Sequence, residues 1–402
     1  MRPPRTIPYL LPAVLAVLCG AAVHAQYPVA TADLTLYDAA RSDRAVPLDL
    51  YYPATAAGAD QPVAEPPAGG FAAVAFGHGY QMTAGVYAWI GQRLAAAGCV
   101  VAVLRTAGEL FPDHAAFGLD LAFAARSLRD AGDDPASPFF GRMGPRTLAM
   151  GHSMGGGASI LAAAGDPSLT AVANFAAAET NPSAIAACAS IDRPALLFAG
   201  TNDCVTPPAD HQVPMHAALS GWRTLVTVTG ASHCQFNAYS FLCAFGEFCS
   251  ADISRQAQQD LVWLLLEPWV RAVLFLDTAA GRQFQSLLAG QDGFTFEQAG
   301  GAAAVGLDVP ASRCGLEVYP NPFNPRASIA YELPDRGRVT LTVHDLAGRV
   351  IRTIVDGTRA AGAHSAAWDG RTASGGMAAS GLYVVRLRTT SAVVARTVSL
   401  VR

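Results

Sequence analysis

The 402-residue chain contains no lysine, so all 27 of its basic residues are arginine. That absence excludes chemistry needing an amine side chain, including Schiff-base catalysis, pyridoxal phosphate enzymes and the P-loop lysine. Charge is sparse at 14%, with a net of -4, and no basic run interleaves with aromatics. The electrostatic footprint of a nucleic-acid binder is therefore missing, and a small neutral or apolar substrate is favoured. No Cys-x-x-Cys pair is answered by a second one, which argues against a zinc site. No apolar run reaches the roughly 20 residues of a membrane span; the run at 261–276 is broken by Glu267 and Arg271. Hydrophobic residues, in contrast, make up 51% of the chain, enough for a large core and too many for a disordered protein.

Arg2 and Arg5, an apolar stretch over 9–23 and the small-residue end Val23-His24-Ala25 read as a cleaved signal peptide over 1–25. Gln26 then opens the mature chain, destined for secretion or the cell surface by way of the periplasm. Cys19 leaves with the leader; Cys99, Cys188, Cys204, Cys234, Cys243, Cys249 and Cys314 remain. An oxidising destination predicts that some of them pair.

Net charge divides the mature chain in two. Residues 26–316 hold 14 Arg against 25 acidic residues, whereas 317–402 hold 11 Arg against 6. This change of sign marks a domain boundary. Over 26–290, β-branched runs at 45–52, 71–76, 99–104, 146–150, 171–175, 195–199 and 224–228 alternate with helical stretches at 87–97, 114–129, 156–164, 210–219 and 254–274. That alternation predicts an α/β fold, a mostly parallel sheet with helices on both faces and ligands at the carboxyl ends of its strands. The Gly- and Ala-rich stretch 291–316 reads as a linker. In 317–402, six short strands at 328–333, 338–344, 349–355, 363–368, 381–388 and 393–401 predict a small β-sandwich, with a hairpin turn at Asp345-Leu346-Ala347-Gly348.

Gly151-His152-Ser153-Met154-Gly155 falls between a predicted strand and a predicted helix. A serine hydroxyl is a weak nucleophile until a base takes its proton, and a tight strand-to-helix elbow exposes it where a base can reach. Asp203 follows the strand at 195–199 and His233 the strand at 224–228, in the chain order serine, acid, histidine. Asp203 is expected to hold His233 in the tautomer that accepts the Ser153 proton; Asp192 and Asp210 are less well placed competitors. The Met154 amide and, from Gly77-His78-Gly79-Tyr80, the Tyr80 amide are the expected oxyanion donors. His78, His114, His152, His211, His216, His344 and His364 read as structural. If Asp203 and His233 meet, their neighbours Cys204 and Cys234 should bridge, at a gain of about 3 kcal/mol, and Cys243 with Cys249 would close a smaller loop.

These motifs, with Gly98-Cys99-Val100-Val101, Gly156-Gly157, Asn202-Asp203 and Gly230-Ala231-Ser232-His233, resemble the α/β-hydrolase branch of chlorophyllase-like, dienelactone-hydrolase-like and bacterial cutinase or polyethylene terephthalate hydrolase families. The resemblance covers about residues 45–275. It implies an exported serine hydrolase cleaving small-molecule or polymeric carboxylic esters without metal or organic cofactor. It also implies oxyanion amides at Tyr80 and Met154, and in some members a disulfide between acid and base loops. Dienelactone-hydrolase-like, lipase-like or peptidase specificity, and a non-catalytic surface-binding protein, are the rival expectations. One departure stands out: where those families usually place a tryptophan, this chain has Ala176-Ala177-Ala178-Glu179-Thr180. Phe236, Tyr239, Phe241, Phe245 and Phe248 could rebuild that apolar wall. Residues 318–402, with Tyr319-Pro320-Asn321-Pro322-Phe323, Trp368-Asp369-Gly370 and Ser380-Gly381-Leu382-Tyr383, resemble the immunoglobulin-like sorting domain of type IX secretion cargo. That implies the type IX machinery as a partner.

Overall fold

Short runs of small and β-branched apolar residues build a ten-stranded sheet in the computed structural model, which describes residues 26–300, 316–333, 337–345, 348–360, 362–389 and 393–401. The expected signal peptide, Cys314 and residues 301–315 of the expected linker lie outside the described residues. The strands are β1 (Val29–Asp38), β2 (Arg44–Pro53), β3 (Gly58–Ala59), β4 (Phe71–Gly77), β5 (Cys99–Leu104), β6 (Met143–His152), β7 (Ala171–Phe175), β8 (Ala195–Gly200), β9 (Arg223–Val228) and β10 (Phe294–Ala299). Their order across the sheet is β10-β9-β8-β7-β6-β4-β5-β2-β1-β3. Neighbours from β9 to β5 run parallel; β10, β2 and β1 pair antiparallel with the strands inside them.

The helices are α1 (Ala88–Ala96), α2 (His114–Asp130), α3 (Met154–Gly165), α4 (Ala184–Cys188), α5 (Gln212–Ala218), α6 (Phe241–Gly246), α7 (Arg255–Leu274) and α8 (Thr278–Gly290). Ala73, Ala75, Val100 and Ala102 pack in one cluster with Phe117 and Leu121 of α2. The intervening Val74, Phe76, Val101 and Val103 point the other way and are equally buried. Both faces of the parallel strands are thus covered, which explains their continuous apolar runs.

Strand order reverses between β4 and β6. After β4 the chain crosses to β5 on one side, then α2 carries it back to β6 on the other. Such a reversal opens a crevice at the carboxyl ends of the two strands. Gly77 and Gly151 lie opposite each other in the register there, so the segments 78–80 and 152–154 leave the sheet side by side.

Strand β10 corrects the linker expectation. Residues 294–299 pair with β9 from Phe294↔Val228 to Ala299↔Arg223. The described residues fall into two compact units, one of residues 26–275 with Ser286–Gly300, and a second of Leu276–Gln285 with those from 316 onward. The second unit carries a three-stranded sheet, β11 (Leu316–Tyr319), β12 (Ala327–Leu333) and β15 (Gly362–Trp368), and a four-stranded one, β14 (Val350–Arg359), β13 (Gly337–His344), β16 (Gly381–Arg388) and β17 (Val393–Leu400). All pairings are antiparallel, in keeping with the expected sandwich. Its core centres on Trp368, with ring centroids 5.3 Å from Phe323 and 5.1 Å from Tyr383. Strand β11 is an addition to the six expected. Among the described residues no helix is long and apolar enough to cross a membrane.

Candidate active site

Ser153 caps α3 with φ 56° and ψ -121°, a left-handed backbone that a non-glycine residue adopts only under constraint. The constraint is visible. Its N–H donates to the Phe175 carbonyl at 3.0 Å, and its own carbonyl accepts from Gly157 at 3.1 Å and Ala178 at 2.9 Å. Glycine is required on both sides. A Cβ at Gly151 would lie 2.2 Å from the Gly155 carbonyl oxygen, and one at Gly155 would lie 2.1 Å from that of Gly77. Helix α3 can therefore start hard against the end of β4. Its first amides, Met154 among them, have no partner inside the helix and lie at the positive end of its dipole.

The structure brings Asp203 and His233 together. His233 Nδ1 lies 2.8 Å from Asp203 Oδ2, with the His233 and Asp203 side chains 3% and 0% exposed. Asp203 Oδ1 accepts the backbone N–H groups of Val205 at 2.9 Å and Thr206 at 2.7 Å, which fixes the carboxylate. The Thr206 hydroxyl lies 2.9 Å from Asp203 Oδ2 and 3.1 Å from His233 Nδ1. Because Nδ1 faces the carboxylate it carries the proton, which leaves Nε2 as the basic nitrogen. Of the competing acids, Asp210 is exposed and the Asp192 side chain is 86% exposed.

On the loop after β4, the Gly79 carbonyl lies 2.8 Å from His78 Nδ1 and accepts from the Met82 amide at 3.0 Å. A trans peptide is planar, so the Tyr80 N–H in the same unit points away from both. His78 Nε2 lies 2.7 Å from the Thr106 carbonyl, and the Tyr80 hydroxyl donates to Leu110 at 2.8 Å. His152 is fully buried; burial first, then the charge of His233, holds its pKa well below the ordinary 6.5.

The disulfide pairing corrects the sequence expectation. The four expected cysteines are all bonded, but Cys204 joins Cys249 and Cys234 joins Cys243, with Cα atoms 6.0 and 5.7 Å apart. The cause is how the segment after His233 returns. Asn202 Nδ2 donates to the Ser250 carbonyl and the Asp252 carboxylate, both at 3.0 Å, so Cys249 rather than Cys234 arrives beside Cys204. The same return brings in Glu247, whose carboxylate accepts the His233 N–H at 2.6 Å and the Cys234 N–H at 3.2 Å. Cys99 and Cys188 are free and buried, and burial raises both thiols to about 12. Phe236 turns inward, buried and stacked on Phe175 at 5.6 Å, while Tyr239, Phe241, Phe245 and Phe248 are exposed.

Sequence reasoning passed over Tyr87, Thr206 and Glu247, which have no motif spacing, and set His152 aside as structural. Among the described residues no group of three or more His, Cys, Asp or Glu gathers as a metal site.

A parallel sheet with its order reversed between β4 and β6, carrying a strained serine on the elbow between β6 and α3, defines a protein of the α/β-hydrolase fold. The chain belongs to the PET hydrolase-like family, whose model matches residues 49–260. It is 31% identical over 167 residues to Cutinase 1 of Thermobifida cellulosilytica, covering 40% of this chain and 60% of that one. It is also 31% identical over 172 residues to the bis(hydroxyethyl) terephthalate hydrolase of Streptomyces coelicolor, covering 41% of this chain and 51% of that one. The match thus spans about half to three-fifths of these relatives' length. Residues 325–392 match the FlgD Ig-like domain, in agreement with the antiparallel C-terminal sheets.

Proposed function

We propose that this protein hydrolyses carboxylic esters through an acyl-enzyme on Ser153. The observation that carries the reading is the buried His233–Asp203 pair at 2.8 Å, presented by the loops after β9 and β8 at the edge of the sheet where β6 delivers Ser153. In this reading Ser153 Oγ attacks the ester carbonyl while His233 Nε2 takes its proton. The carbonyl oxygen becomes an oxyanion received by the Tyr80 and Met154 amides. Collapse breaks the bond to the alkoxy group, which leaves as an alcohol with the proton from His233. Water then gives a proton to the same nitrogen, attacks the acyl carbon and releases the acid, restoring Ser153. Asp203 keeps Nδ1 protonated and stabilises the imidazolium in both halves.

Cutinases and a terephthalate-ester hydrolase among the relatives favour esters of hydrophobic or aromatic acids, including polymeric ones. The exposed Tyr239, Phe241, Phe245 and Phe248 after His233 offer apolar area suited to such a substrate. Export by the 1–25 leader, with the C-terminal immunoglobulin-like module as the type IX address, completes the proposal. The test is turnover of p-nitrophenyl esters of increasing chain length and of an aromatic polyester film by the mature protein. Ser153→Ala is expected to abolish both; wild-type rates in that variant would remove Ser153 from the mechanism. Release of products from the film would assign polymeric substrates, whereas turnover confined to short p-nitrophenyl esters would assign small ones.

A further inference from the structure

Four loops supply the residues assigned above, and one chain of hydrogen bonds runs through three of them, those that carry Tyr80, Ser153 and His233. The Gly79 N–H donates to the Tyr87 hydroxyl oxygen at 2.9 Å. The Tyr87 hydroxyl lies 2.8 Å from His152 Nδ1, and His152 Nε2 lies 3.2 Å from the His233 carbonyl. Its direction follows from chemistry. A carbonyl only accepts, so Nε2 carries the proton; a neutral imidazole then has a bare Nδ1, which must accept the Tyr87 O–H. Tyr87, fully buried at the turn into α1, is tilted against Phe76 at 5.0 Å. A Cβ on Gly79 would come within 3.1 Å of the Tyr87 oxygen and 3.2 Å of His152 Nδ1, so the three groups are closely packed.

We propose that Tyr87 and His152 form a positioning relay that sets the oxyanion-donor loop, the nucleophile elbow and the base loop relative to one another. Gly79 immediately precedes Tyr80, His152 immediately precedes Ser153, and His233 is the base itself. Neither relay residue takes a proton from the substrate; both act through the groups beside them. Removing the Tyr87 oxygen strands a buried amide N–H and a buried imidazole nitrogen. Relief by moving the 78–80 loop misplaces the Tyr80 amide, and relief by turning the imidazole releases the His233 carbonyl. Either displacement falls on the chemical step, where misplacement by about 1 Å costs on the order of 100-fold.

The inference rests on the ester-hydrolase reading, and its test separates the two. The mature protein and its Tyr87→Phe, His152→Gln and His152→Phe variants are assayed with soluble p-nitrophenyl butyrate, well below their unfolding temperatures. Ser153 labelling by a fluorophosphonate and near-ultraviolet circular dichroism are followed in parallel. Tyr87→Phe is expected to lower kcat about 10- to 100-fold with KM within about twofold, and to label Ser153 fully but slowly. His152→Gln, whose amide can still donate to the His233 carbonyl, should keep more kcat than His152→Phe. Adding Tyr87→Phe to His152→Phe should cost little more, because the relay is already cut. Tyr52→Phe removes a comparable hydroxyl contact, to the Gln61 carbonyl at 2.8 Å outside the site, and should leave kcat unchanged. An active, folded Tyr87→Phe enzyme with wild-type kcat, an additive double variant, or an equal loss in Tyr52→Phe would overturn the relay alone. Should Tyr87→Phe fail to fold, equal kcat in the two His152 variants would do the same. Inertness of the wild type to ester and fluorophosphonate alike would overturn the hydrolase reading and the relay with it.

Discussion

Glycine and histidine at the elbow show how far single side chains decide this site. Gly155→Ala drives a methyl group into the Gly77 carbonyl, a backbone group that cannot swing aside as a flexible side chain would. The expected cost is about 3 kcal/mol, with turnover lost, readable by urea denaturation alongside an esterase assay. His152 leads to a pH prediction. Its pKa is depressed in the fold, so below its ordinary value of 6.5 the unfolded chain takes up a proton that the folded chain refuses. Its contribution is complete above that pH and lost progressively below it, approaching about 1.4 kcal/mol per pH unit. His216 is depressed in the same direction by burial and then by Arg223, and adds to the effect. Urea midpoints should fall between pH 7 and pH 5, less steeply in His152→Phe. The placement of Ser153, Asp203 and His233 just past strand ends was legible beforehand because each sits inside a recognisable run. Tyr87 and Glu247 were not, since their partners are set by which loops meet in space.

Segments rather than single positions account for the corrections. Strand β10 went unread because its Phe294 and Phe296 alternate with polar residues over only six positions between glycines, a weak period that acquires meaning once β9 offers an edge. Strand β1 was passed over although it pairs with β2 over its whole length. The cysteines were legible as a group but not as pairs, because proximity of Asp203 to His233 does not fix where the next residues' Cβ atoms point. The loop spacings of 45 and 9 residues give the two bridges unequal weight. Chain entropy assigns about 4 kcal/mol to the longer and nearer 3 to the shorter. Non-reducing peptide mapping should recover 204 with 249 and 234 with 243. Replacing Cys204 and Cys249 together by alanine should cost more stability than replacing Cys234 and Cys243.

Net charge changes sign from -11 over residues 26–316 to +5 over 317–402, and the fold class, an α/β sheet followed by antiparallel sheets, was readable from element order and turn spacing. In a bacterium with a type IX apparatus, the full chain should appear outside the cell by immunoblot, while a chain ending at residue 316 should be held in the periplasm. Equal export of both would end the sorting proposal. The bracing of His233 bears on the same journey. Two sulfur bridges beside Asp203 and His233, with the Glu247 carboxylate on the His233 N–H, brace this pair, and the bridges can close only where thiols are oxidised. Newly made protein in a reducing cytoplasm would own every reactive group yet hold its imidazole slackly. If the proposed export holds, only passage into an oxidising compartment would let the bridges close and tighten that hold.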